Sequence, residues 1–243
     1  MLQFRTMNSA GTLSVAENLA RVQERIQVAA RRAGRTDRVT LVAVTKSVPP
    51  ERIAEAYRVG VRHFGENRVQ EFEDKRPRLA LPPAIWHMVG HVQTNKARRA
   101  VELFDRVDSL DSLRLAEKLA AAARERGRGL PVLIQVHLGE EETKHGVEPG
   151  DLGPLVEQIA RLDGVSLEGL MTIPPYLEPV ERVRPYFRRL RELGEEIDRR
   201  RLPRVAMKEL SMGMSHDFEV AIEEGATQVR LGTALFGPRP GPA

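Results

Sequence analysis

The chain has 243 residues, 41% of them hydrophobic and 30% charged, which suits one large or two small soluble domains with a sizeable core. It contains no cysteine, which excludes disulfides, thiolate metal sites and cysteine nucleophiles, and no apolar run approaches the ~20 residues of a membrane span. The net charge of +4 comes with arginines set beside acids on helical faces, as in 182–201, and with only 5% aromatics, so a solvated charged surface is expected rather than a nucleic-acid-binding one.

Residues 1–13 lack the charged-then-apolar layout of a secretory signal, so a cytoplasmic location is expected. From 14 to 33 the apolar positions recur at helical spacing, and the pattern stops at Gly34. An apolar strand follows at 39–45, and Pro49-Pro50 opens a helix that runs to 59. Strands are then expected at 61–64, 85–89, 106–110 and 131–138, each followed by a helix, at 68–79, 93–103, 112–126 and 152–162. Three more strands, at 165–172, 207–211 and 227–231, enclose helices at 180–201 and 216–224. Eight strands alternating with helices imply parallel pairing through crossovers, and at this length eight favours a closed (β/α)8 barrel over an open sheet. No linker-like segment divides the chain, so one domain is expected, with the first helix outside a barrel spanning about 38–237.

In such barrels the working face is the C-terminal end of the strands. Thr45-Lys46, Gly65-Glu66-Asn67, Gly90-His91, Met171-Thr172, the stretch 211–215 and the stretch 230–233 all fall on that rim. Lys46 emerges from the apolar run Leu41-Val42-Ala43-Val44, where low-dielectric walls favour the neutral amine, the form that attacks an aldehyde. Taken alone, a surface lysine just past a strand end fits as well. After strand seven come Ser211, Gly213 and Ser215, with a helix expected to begin near Ser215-His216-Asp217 and present free N–H groups. Gly232-Thr233 repeats the arrangement after strand eight, and loops seven and eight are where such barrels commonly hold phosphate. Arg230 should share a strand face with Gly232 and point inward, where it needs an acceptor: a ligand atom or a barrel carboxylate such as Glu209. His87 and His91 have no third metal ligand at a diagnostic spacing, so no metal is expected. The acidic loop 140–145, with Lys144 and His145, reads as a solvent loop or a lid over the mouth.

These segments closely resemble the pyridoxal phosphate homeostasis protein family, whose barrel is that of the alanine racemase N-terminal domain. The resemblance rests on Ala43-Val44-Thr45-Lys46, on Phe64 to Glu71, on Trp86 to Lys96, on Gly169-Leu170-Met171, on Leu210 to Asp217 and on Val229 to Gly237. It implies pyridoxal 5′-phosphate (PLP) held as an internal aldimine on Lys46. Ser211, Gly232 and Thr233 are then expected at the phosphate, Arg230 at the pyridine nitrogen, Asn67 and Met212 along the ring and His91 nearby. A guanidinium only donates, so a ring nitrogen facing it stays unprotonated and is a poor electron sink. That favours a carrier acting in PLP homeostasis over a PLP-dependent amino-acid racemase or lyase. Tyr57, Tyr176 and Tyr186 lack the placement of a second-face base, and the chain ends soon after strand eight, without the second domain from which the racemase draws that base. An aldolase using Lys46 on its own substrate shares the fold and the lysine but leaves Arg230 unexplained. A monomer is expected, with apo PLP enzymes as candidate partners.

Overall fold

The computed structural model describes residues 14–139 and 145–238. The first helix, α1 (Val15–Arg32), starts at Ser14, whose hydroxyl accepts from the Glu17 amide while the Glu17 carboxylate accepts from the Ser14 amide. Val15, Leu19, Val22, Ile26 and Ala29 recur on one face of it and are buried. That face packs on the outside of the barrel, against the helices that follow strands one, seven and eight.

The eight strands are β1 (Thr40–Val44), β2 (His63–Glu66), β3 (Ile85–Met88), β4 (Arg106–Leu110), β5 (Leu130–Gln135), β6 (Val165–Met171), β7 (Val205–Ser211) and β8 (Gln228–Leu231). All pair in parallel with their sequence neighbours, and β8 pairs with β1 to close the barrel, Val42 opposite Arg230. The connecting helices are α2 (Pro50–Arg58), α3 (Val69–Lys75), α4 (Ala97–Leu103), α5 (Leu113–Glu125), α6 (Pro149–Ile159), α7 (Arg184–Asp198), α8 (Phe218–Glu223) and α9 (Thr233–Phe236). No helix among the described residues is long and apolar enough to cross a membrane.

Several elements differ in position from the sequence pattern, β2 and α8 among them. β2 lies two residues later than 61–64, because it ends in Gly65-Glu66, small and charged residues that carry no strand signal yet complete the ladder to β3. The helix expected from 216 starts instead at Phe218, because Met214 to Asp217 form a turn in which the Met214 amide donates to Asp217 Oδ1 (2.6 Å).

The apolar core is the layer between strands and helices, including Phe64, Phe72, Trp86, Phe104, Phe187 and Phe218. Inside the barrel a polar network stands beside apolar side chains such as Val42. Alternate residues of a strand share a face, so Arg106 and Asp108 project together from β4, and Glu209 and Ser211 from β7. Arg106 donates to Asp108 (2.7 Å) and to Glu209 (2.9 Å), and His87 Nδ1 pairs with Asp108 (2.7 Å). His87 Nε2 in turn meets His63 Nδ1 (3.0 Å), and Gln228 donates to Glu209. Burial alone would raise Asp108, but His87 and Arg106 hold it down to about 2. Burial, reinforced by the charges of His87 and Arg106, pushes His63 down to about 4, so its ring is neutral at pH 7.

Candidate functional site

A cavity of about 400 Å³ opens at the C-terminal ends of the strands, walled by Val44, Lys46, Asn67, Val89, Arg230, Gly232 and Thr233 together with the loops after β6 and β7. A larger space of about 600 Å³ lies at the opposite end, among the strand starts and α1, lined by residues such as Leu19, Arg38, Thr40 and Arg62. Of the residues read from the sequence, Lys46, Asn67, Arg230, Gly232 and Thr233 meet at the first.

Lys46 sits half-buried just past β1 on a backbone fastened at both flanks. Before it, the Thr45 hydroxyl donates to Glu66 (2.7 Å) and Lys75 Nζ donates to the Thr45 carbonyl (2.8 Å). After it, Ser47 takes a left-handed conformation, φ 59°, and its amide donates to Glu71 (2.6 Å). Lys75 also pairs with Glu66 (3.1 Å) and Glu71 (2.6 Å). Glu66 is fully buried, which raises its pKa, and its Oε2 has no hydrogen-bond partner among the described residues. The sequence pattern gave no notice of Lys75, which sits on α3 four residues from Glu71 like one end of any solvated helical ion pair. Glu66 and Glu71 stood inside a quoted motif but without a role.

Asn67 is placed by Gly90. A Cβ at Gly90 would come within 2.2 Å of the Asn67 carbonyl oxygen, so only glycine lets the loop after β3 press on it. The loops after β7 and β8 are zipped into one piece. The Met212 amide donates to Gln228, the Arg230 amide to Gly213 (2.9 Å) and the Ala234 amide to the Ser215 hydroxyl (3.1 Å). Gly213 has φ 93°, and a Cβ there would lie 2.6 Å from Ala221 Cβ, so this turn also demands glycine. Gly232 differs: the nearest atom to a Cβ is Val44 O at 3.6 Å, ordinary contact, so the protein's own packing leaves that space open toward the cavity.

Arg230 is buried at the cavity floor. Its guanidinium donates to Ser211 Oγ (2.8 Å) and to the Thr172 carbonyl (2.7 Å). Glu209, the alternative partner read from the sequence, is not the acceptor, since it is taken by Arg106 and Gln228. Among the described residues no carboxylate ion-pairs with Arg230. Burial pushes it down to about 10, against the pull of Asp108 and Asp217, so it stays a cation at pH 7.

Of the other residues read from the sequence, Ser211 is fully buried and meets the site through Arg230. Strand alternation turns Met212 out of the barrel into the apolar layer, and Met214 takes the place on the cavity wall. His91 lines a neighbouring depression with Asn95 and Asp111. Lys208 is exposed on β7, while Lys144 and the rest of the loop 140–144 lie outside the described residues. Tyr176 and His216, neither read as part of a site, wall the mouth with rings stacked at 4.3 Å. Tyr176 is 73% exposed, and its hydroxyl donates to Glu178 (3.1 Å), which raises its pKa. Contact between two separate loops leaves no trace in a linear pattern.

Residues 18–240 match the family described as the alanine racemase N-terminal domain. The chain is 50% identical over 228 residues to the pyridoxal phosphate homeostasis protein of Aquifex aeolicus, covering 93% of this chain and 99% of that one. It is 44% identical to the protein of the same name from Pseudomonas aeruginosa, with 93% and 96% covered. Among solved structures it is similar to PipY of Synechococcus elongatus with PLP bound, at 41% identity and TM-score 0.81, covering 92% of this chain and all of that one. Alanine racemase from Clostridium difficile, at 16% identity and TM-score 0.70, shares the fold, with this chain covering 58% of its length. With one barrel matched almost from end to end, the chain belongs to the pyridoxal phosphate homeostasis protein family, whose fold is the alanine racemase N-terminal barrel.

Proposed function

We propose that this protein binds PLP at the cavity around Lys46 and acts in PLP homeostasis as a carrier rather than through robust turnover of its own. The observation that carries the reading is Arg230: a buried cation with no carboxylate partner among the described residues, on the floor of a cavity that also holds a lysine. Its two neutral acceptors, Ser211 and Thr172, leave the charge to be matched from elsewhere. The unused space over Gly232 fits the same ligand, because it admits a phosphate to the loop that carries Thr233. When bound, PLP supplies an aldehyde that condenses with an amine and a ring able to accept electrons.

In this reading Lys46 is the covalent anchor. Its amine is aimed by the Thr45–Glu66–Lys75 network on one flank and the Ser47–Glu71 bond on the other. Gly232 and Thr233 hold the phosphate, with Ser211 acting through Arg230. Asn67 and Met214 confine the ring, and His91 and Met212 support the site from behind it. Arg230 faces the ring nitrogen as a donor and keeps a proton off it, which weakens carbanion chemistry. Tyr176 stands where a second proton-transfer group would be useful, but its raised pKa keeps the phenol protonated, so little phenolate is present to take a proton. The carrier therefore stands ahead of the racemase or lyase. We place the protein in the cytoplasm as a monomer, delivering to apo PLP enzymes.

The test is the absorbance of purified protein reconstituted with PLP. We expect a near-visible band, a borohydride-fixed adduct on the Lys46 peptide, and loss of both in Lys46→Ala. A protein that stays colourless on reconstitution would restore the aldolase reading. Rapid exchange of an amino acid's α-proton with solvent would establish the racemase.

A further inference from the structure

A second group of donors lies beside this cavity, assembled from three successive loops. His91 follows β3, Asp111 directly follows β4, and His145 stands in the segment after β5. Their ligand atoms, one from each residue, all lie within 4.8 Å of one another. His91 Nδ1 and Asp111 Oδ2 are 2.8 Å apart, and the two imidazoles stack face to face, centroids 3.8 Å apart and planes within 8°. We propose that His91, Asp111 and His145 bind one divalent transition-metal ion of the zinc class.

The chemistry of the donors selects the ion. Two imidazole nitrogens and one carboxylate oxygen suit zinc and its neighbours rather than magnesium or calcium, which take oxygen. Three protein ligands leave a further position for water, the open form of such sites. Ligands bound at ~2.1 Å to one tetrahedral ion lie about 3.4 Å apart. A pair at the 4.8 Å limit therefore closes by about 1.4 Å, a movement open to the two exposed histidines. An imidazole lone pair lies in the plane of its ring, so the two rings, stacked at 3.8 Å, turn out of their stack when they share an ion.

The donors are also held in place. The Ser112 hydroxyl accepts from the Leu115 amide and fixes the start of α5 beside Asp111. The His145 carbonyl accepts from the buried Gln135 side chain (2.6 Å). On the other side, His91 adjoins Gly90, which presses on Asn67, so the ion would tie three loops together at the rim of the cavity. The assignment does not depend on what that cavity binds.

The test is a titration of the full chain, first stripped with a chelator, using Co²⁺ followed by its visible d–d absorption and Zn²⁺ followed by equilibrium dialysis. We expect one ion per chain, with affinity lowered at least ten-fold in His91→Ala and in His145→Ala and unchanged in His137→Asn. Both ligand histidines are near the surface, and unchanged far-ultraviolet dichroism would show that the variants fold. Absence of stoichiometric binding, or binding that survives the double variant His91→Ala with His145→Ala, overturns the site.

Discussion

Two arginines are buried inside this barrel, and they live in opposite surroundings. Arg106 is held by Asp108 and Glu209, with Glu168 at 3.8 Å, and these carboxylates raise its pKa against the effect of burial. Arg230, in the layer nearer the cavity, has a hydroxyl and a carbonyl, and burial depresses it to about 10. The same side chain is structural where its charge is matched from within the protein. Where no carboxylate matches it, the charge is left over for the ligand proposed above. A buried cation is informative through the partners it lacks.

Neutralising each arginine gives the strongest way to break this contrast. Arg106→Met strands two carboxylates in the barrel and should cost about 3–5 kcal/mol in urea unfolding. Arg230→Met should cost only about 1–2 kcal/mol, from an unpaired hydroxyl and carbonyl, yet weaken PLP binding at least ten-fold, about 1.4 kcal/mol. Equal stability losses in the two variants would show that the layers are not distinct.

A smaller effect comes from pH. His63 has its folded pKa lowered to about 4 from the ordinary 6.5. Between those values the unfolded chain takes up a proton that the folded chain refuses, so stability falls as pH drops from about 6.5 toward 4. Allowing for the partial exposure of this ring, the loss is roughly 1–2 kcal/mol. Unfolding midpoints at pH 7 and pH 5 should converge in His63→Gln, and an unchanged pH slope would remove His63 from the account. The smallest stability effect is expected at Gly232→Ala, under about 0.5 kcal/mol because the Cβ meets only ordinary contact, with the loss appearing as weaker PLP binding. A variant that unfolds would place the demand for glycine in the fold rather than in the ligand.

Much of this was legible in the chain. β4 occupies the residues expected of it, and Lys46 stood out because a lone lysine closes an apolar strand. Strand spacing put Arg230 and Gly232 on one face, and both wall the cavity. What escaped reading depends on contacts between distant segments. Glu71 and Lys75 look like a surface pair until β1 and β2 bring the Lys46 turn against them. Met212 and Met214 are interchangeable by composition, and only the alternation past the end of β7 turns one into the core and the other onto the wall. Arg76-Pro77-Arg78 closes the helix expected over 68–79 as a tighter turn, because proline cannot donate the next backbone bond.

The hydrogen bonds that join the segment after β7 to β8 and the start of α9, from Met212–Gln228 through Ser215–Ala234, carry one more consequence. A cradle stitched this way exists before its guest arrives, so little ordering entropy is left for association to meet. Loading and unloading can then proceed without these segments melting and re-forming. On the proposed reading the pace of exchange then passes to the chemistry at Lys46, a division of labour suited to a carrier.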